Sequence, residues 1–188
     1  METVYIVLTD TGTKFSRVIK RVTGAPYNHA SLALSEELDP LFSFGRKEKR
    51  LPWLAGFVRE RRCDGRLAAG GRTRCAVYAL PVDAARHARI SAELERFERE
   101  ADRYGFNYWG LLNFLAPLNL KTPNAYFCSE FVAEVLRRAG VEPVGKPPYA
   151  TAPHDFMAAA PLRLVYEGPL AAYRPLMRQY RANNLVAE

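Results

Sequence analysis

Hydrophobic and polar positions change period several times along this chain, and each change marks an element. Thr3-Val4-Tyr5-Ile6-Val7-Leu8-Thr9 is a short, nearly continuous apolar run rich in β-branched and aromatic residues, which predicts a buried strand over residues 3–9. Thr13 is placed to cap a helix whose apolar face is Phe15, Val18, Ile19 and Val22, with Lys14, Arg17, Lys20 and Arg21 around the rest; Gly24 and Pro26 stop it. A strand follows from Tyr27 to Ser35, then a turn near Asp39-Pro40 leads into Leu41-Phe42-Ser43-Phe44-Gly45. Residues 56–63 and 74–81 predict two strands around a Gly70-Gly71 turn. Asp83 opens a long helix with its stripe at Ile90, Leu94, Phe97, Ala101 and Tyr104. Gly105 and Asn107 interrupt, and residues 108–114 predict a short hydrophobic helix. A loop holding Pro117, Asn119, Pro123 and Asn124 then delivers the chain to a strongly amphipathic helix with Phe131, Val132, Val135, Leu136 and Ala139 on one face, closed by Gly140 as its C′ residue. A proline-rich surface segment, a short helix around residues 154–158, a strand over 162–166 and a polar tail complete the chain. The pattern predicts an α+β class, helices packed on a mostly antiparallel sheet, in a single domain spanning 1–188.

Composition adds limits more than identity. With 48% hydrophobic and 25% charged residues, the 188-residue chain has an ordinary globular balance and enough length for a substantial core. No apolar run approaches the ~20 residues needed to span a bilayer, and the N-terminus lacks a basic n-region and a small-residue cleavage site, so a cytoplasmic location is expected. Three cysteines form no C-x-x-C pair, which points to neither a disulfide framework nor a metal site. Cys63 and Cys75 read as reduced core cysteines. The net charge of +7 permits nucleic acid, anionic lipid or acidic substrates as partners. The basic stretch from Arg46 to Arg74 lacks interleaved stacking aromatics, so it reads as a solvated hairpin and nucleic acid is not expected.

Chemistry enters with Cys128, the first residue of the amphipathic helix. Backbone N–H groups and the positive end of the helix dipole favour thiolate at such a position, where a cysteine hydrolase places its nucleophile. A small buried hydrophobe is the plainer account of a lone cysteine. A nucleophilic cysteine needs a base, and there are three histidines. His87 lies on the charged side of the long helix, and capping or a structural hydrogen bond accounts for His154. His29 sits in a strand beside Ser31 and Ala33 on one face, with Ala30, Leu32 and Leu34 on the other. Those small neighbours would let a helix headed by Cys128 approach the histidine face.

The Asn28-His29-Ala30-Ser31-Leu32 strand, the Phe127-Cys128-Ser129-Glu130-Phe131-Val132 helix start and the order histidine before cysteine resemble the circularly permuted papain-like hydrolases. These are the permuted relatives of the NlpC/P60 peptidases, grouped with the YiiX/YaeF-like amidases and more distantly with lecithin:retinol acyltransferase-like enzymes. Phe106-Asn107-Tyr108-Trp109-Gly110-Leu111 is similar to the segment preceding the cysteine helix in such proteins, and Thr151-Ala152-Pro153 resembles them more weakly. The resemblance implies a permuted papain-like fold, Cys128 as nucleophile and His29 as general base and then acid. It implies a third polar residue on the strand after the histidine strand, where this chain offers Ser43, with Glu60 as a fallback. The family more often has His, Asn, Gln or an acid there. Serine would accept the Nδ1–H bond of the imidazole and stabilise an imidazolium less than a carboxylate does. The Cys128 N–H is a natural oxyanion donor; Tyr104 or Tyr108 could add a phenolic one, although aromatic packing explains either.

The function expected is a cysteine hydrolase that cleaves an amide or ester through an acyl-thioester, without metal or organic cofactor, on a small peptide-like or acyl-amide substrate. The alternatives are a lipid-directed thiol acyltransferase or esterase, with residues 14–22 and 109–115 lying against a membrane surface or acyl chain, and a catalytically silent binding module.

Overall fold

The computed structural model describes residues 1–10, 24–46, 55–61, 73–107 and 122–175. Among the described residues eight strands run in chain order: β1 (Glu2–Asp10), β2 (His29–Ala33), β3 (Leu41–Arg46), β4 (Ala55–Glu60), β5 (Arg74–Val82), β6 (Gly105–Phe106), β7 (Ala125–Tyr126) and β8 (Arg163–Pro169). Six of them form one sheet in the order β4-β3-β2-β1-β5-β8, with every neighbouring pair antiparallel. The two α-helices among the described residues are α1 (Ala84–Arg99) and α2 (Cys128–Arg138). The α+β class and mostly antiparallel sheet expected from the pattern are therefore present. The predicted helix over 13–22, the Gly70-Gly71 turn, the short helix over 108–114 and the polar tail lie outside the described residues.

Strand alternation divides the core into two layers. On one face, Ile6 and Leu8 of β1, Ala30 and Leu32 of β2, Phe42 and Phe44 of β3, and Tyr78 and Leu80 of β5 meet Ile90, Leu94 and Phe97 of α1 and Phe131, Val132, Val135 and Leu136 of α2. An aromatic knot lies at the centre. The Phe131 ring stands 5.1 Å from both Phe44 and Phe97, and 5.8 Å from Phe57. On the other face Val7, Ala33, Leu41, Cys75 and Val77 are covered by Leu38, Leu170 and Tyr173, whose hydroxyl donates to the Glu36 carbonyl at 2.8 Å.

Helix ends follow the sequence signals. Asp83 caps α1 by accepting the Arg86 N–H at 2.7 Å. That helix ends at Arg99, earlier than the predicted stripe, and a 3-10 turn over Ala101–Arg103 carries the chain to Tyr104, which still packs on Phe97 at 4.7 Å. Gly140 follows α2 with φ +76°, a conformation that favours glycine. One pairing has no signal in the hydrophobic pattern: β6 and β7 are two residues each and pair in parallel, placing Asn107 beside the entrance to α2. The Asn107 N–H donates to the Tyr126 carbonyl at 3.1 Å.

Candidate functional site

The site gathers where α2 begins against β2. Phe127 has no side-chain acceptor, so α2 lacks an ordinary N-cap; the Glu130 carboxylate reaches back and accepts the Phe127 N–H at 3.2 Å, the reciprocal arm of a capping box. Ser129 Oγ donates to the Thr151 carbonyl at 2.7 Å, so the Thr151-Ala152-Pro153 segment braces the same first turn. Held in this way, the Cys128 side chain is 9% exposed and faces β2. The backbone N–H groups of Ala30, Ser129 and Cys128 itself are directed at its sulfur.

These N–H groups favour thiolate, as expected for a helix start, yet burial outweighs them. Desolvation is the largest influence on the Cys128 thiol and pushes its pKa above the usual value of 9.0; the Glu130 charge adds to the rise. His29 is displaced the other way. It keeps a small exposed edge, but burial lowers its pKa to about 4. The resting pair at neutral pH is a thiol and a neutral imidazole, not the ion pair that the helix position alone predicts.

The approach to His29 also differs from expectation. Helix α2 packs on the face of β2 that carries Ala30 and Leu32, whereas Ala33 lies in the opposite layer with Leu41. The larger apolar surface of Ala30, Leu32, Phe42 and Phe44 attracts the helix more strongly than the small-residue face does. Cys128 therefore meets β2 at the Ala30 N–H, one residue from His29. Among the described residues no hydrogen bond joins the sulfur to the imidazole.

Ser43 stands where the resemblance implied a third residue. Its Oγ is 3.0 Å from His29 Nε2, 3.0 Å from the Ala30 carbonyl and 3.4 Å from the Phe44 carbonyl. A hydroxyl has one proton, and carbonyls only accept. Ser43 thus donates to Ala30 and accepts from Nε2–H, which leaves the lone pair on Nδ1. The contact is to Nε2, not to the Nδ1–H expected from the sequence. Gly45 completes the nest: a Cβ there would sit 3.7 Å from His29 Cε1, an ordinary contact, so the ring comes close to the β3 backbone. Glu60, at the end of β4, pairs with Leu41, whereas Ser43 pairs with Val58. Around the histidine the face stays polar: Thr9 lies opposite His29 on β1, and Thr9 Oγ1 and Ser31 Oγ are buried without a hydrogen-bond partner.

Tyr104 is not brought to this site. Its hydroxyl donates to Glu100 at 2.8 Å and its ring packs on Phe97 and Tyr126, so its work is aromatic packing. Tyr108, the companion candidate, lies outside the described residues, as do Cys63 and the segments 14–22 and 109–115. Of the basic stretch, Arg46, Arg59, Arg61 and Arg74 fall among the described residues, and Arg59 pairs with Glu98 at 3.0 Å and Arg61 with Asp39 at 3.5 Å. A cleft of about 400 Å³ opens along the other end of α2, between Ala133, Arg137, Val144, Lys146 and Phe156, away from Cys128. Among the described residues no helix is long and apolar enough to cross a membrane.

Two polar residues of the site were not picked out by sequence reasoning. Glu130 and Asn107 form a buried pair, Asn107 Nδ2 donating to Glu130 Oε2 at 3.1 Å. A glutamate three residues after a helix start is a capping-box signal, but Phe127 in the cap position hides it. No family model matches the chain, and neither a curated protein nor a solved structure does.

Proposed function

We propose that the protein is a cysteine hydrolase of permuted papain-like architecture that cleaves an amide or ester bond through an acyl-thioester on Cys128. One observation carries this reading: a helix-start thiol meets β2 one residue from a histidine whose Nε2–H is engaged by Ser43, leaving Nδ1 as a free base. The short motifs around His29 and Cys128 support the same family resemblance.

In the proposed cycle Nδ1 of His29 takes the Cys128 proton as sulfur attacks the carbonyl carbon. Backbone N–H groups at the start of α2 receive the developing oxyanion. The imidazolium then protonates the leaving amine or alcohol, the C–N or C–O bond breaks, and the acyl group stays on sulfur. Water, deprotonated by His29, attacks the thioester; the acid departs and the thiol is restored. Burial disfavours each charge singly, but a thiolate beside an imidazolium relieves both. At an effective dielectric near ~20, opposite charges ~4 Å apart attract by about 4 kcal/mol. The dyad therefore closes as substrate binds, when catalytic hydrogen bonds tighten. A small peptide-like or acyl-amide substrate is the proposed class.

The test is acyl-enzyme trapping. Activated p-nitrophenyl esters and N-acyl amides are offered to the protein, and intact mass with peptide mapping locates any adduct. An acyl group on Cys128, absent in Cys128→Ser and strongly slowed in His29→Ala, is the expected result. Adducts distributed over lysines, or equal rates in all three proteins, would discard the hydrolase reading in favour of a binding module.

A further inference from the structure

Glu130 does more in the site than the capping-box arm that its N3 position explains. It is 6% exposed, and both of its contacts use the same oxygen: Oε2 accepts from the Phe127 N–H and from Asn107 Nδ2. Asn107 is itself oriented. Thr122 Oγ1 donates to its Oδ1 at 3.0 Å, which turns the amide so that Nδ2 faces Glu130, while its backbone is tied to Tyr126. The carboxylate thus joins three chain segments, residues 105–107, residues 125–127 and the first turn of α2, the turn that carries Cys128. The apolar face of α2 is buried by Phe131, Val132, Val135 and Leu136, and the Asn107 bond to Glu130 adds a polar tie at its first turn.

We propose that Glu130 is the positioning residue of the nucleophile: its carboxylate locks the first turn of α2 to Asn107 so that Cys128 meets β2 at Ala30, and it biases the sulfur electrostatically from below. This rests on the reading of Cys128 as nucleophile. The electrostatic part has a sign. Burial dominates the rise in the Cys128 pKa, and ionised Glu130 adds a smaller push in the same direction. Burial raises the Glu130 pKa to about 7, with Glu134 one turn on adding to the rise, and the Asn107 and Phe127 hydrogen bonds opposing it. Tyr126 on β7 is the other titratable group that feels Glu130, and it stays protonated, its pKa raised to about 12 chiefly by burial. Arg138 bonds Tyr126 and Glu134, while Arg96 of α1 acts on Tyr126 from the far side. Glu130 therefore changes charge near neutrality.

The experiment is iodoacetamide labelling of Cys128, site-resolved by mass spectrometry from pH 5 to 9, in wild type, Glu130→Gln, Glu130→Ala, Asn107→Ala and His29→Ala, with a thermal melt for each. Glutamine keeps the acceptor oxygen but never ionises. It is expected to label like wild type at pH 5 and roughly three- to tenfold faster at pH 8, where wild type carries the charge. Glu130→Ala loses the clamp as well and is expected to depart from wild type at both pH values; Asn107→Ala, which keeps the carboxylate, is expected to do so at pH 5, where charge plays no part. Glu130→Gln tracking wild type over the whole range would overturn the electrostatic role. Coincident Ala and Gln profiles, with Asn107→Ala at the wild-type rate, would overturn the positioning role. Acylation of Cys128 by a p-nitrophenyl ester, measured in the same variants, separates the two readings: Glu130 effects on labelling with no His29→Ala effect on acylation retain the clamp and reject the dyad, and the reverse rejects the clamp alone.

Discussion

At the scale of residues the site is decided by desolvation. A thiol at a helix start and a histidine on a neighbouring strand both lose water, and each is driven to its neutral form. Resting Cys128 is therefore expected to react with iodoacetamide more slowly than an unburied thiol at pH 7, with its inflection above the ordinary thiol value. Enhanced labelling in mildly acidic buffer would contradict this. Ser43→Ala removes the acceptor of Nε2–H and leaves the imidazole N–H and the Ala30 carbonyl without that partner. The expected loss in folding stability is about 1–3 kcal/mol, read by urea denaturation, with acylation of Cys128 slowed because the tautomer is no longer fixed. The Ser43–His29 contact was anticipated by the family resemblance, and the start of α2 at Cys128 by its apolar stripe, because helix-start position is a local property. The charge state of Cys128 and His29 was not, because burial is set by segments distant along the chain.

At the scale of elements, the sequence showed α2 and its apolar stripe, but alternation alone could not say which face of β2 the helix covers. Both faces of β2 are buried, and the packing is decided by Phe42, Phe44 and Phe57 from neighbouring strands. The same limit explains Tyr104, whose spacing fitted a site residue as well as a core one until Glu100 and Phe97 claimed it. Phe131 is the joint of α2 to the sheet. Phe131→Ala is expected to cost about 3–5 kcal/mol of stability and to loosen the first turn three residues upstream, so Cys128 should label faster even where the protein remains folded. A destabilised variant with unchanged labelling would show that the first turn is held by Glu130 and Ser129 alone.

At the scale of the whole molecule, two buried titrations oppose each other. His29 falls from an ordinary 6.5 to about 4, so the unfolded chain binds more protons between those values and the stability lost on acidification is lost as pH falls through that window. Glu130 rises from 4.5 to about 7, so the folded chain binds more protons there and stability falls as pH rises through that window. The windows overlap from about 4.5 to 6.5, where the slopes cancel in part. Wild type is expected to show a shallow stability profile there. Glu130→Gln should expose the His29 slope, becoming steeper toward acid and gaining relative to wild type above pH 7. Parallel profiles for the two proteins in chemical denaturation would show that Glu130 is not as buried as its surroundings imply.

The Ala30 amide has a further consequence. Its N–H is directed at the Cys128 sulfur, so this backbone proton responds to whatever the sulfur carries. Converting a thiol to a thioester weakens it as an acceptor, and the Ala30 resonance in a nitrogen–proton correlation spectrum should move upfield when Cys128 is acylated and return on hydrolysis. A single main-chain signal in the middle of the sheet would then time each turnover without any label on the substrate.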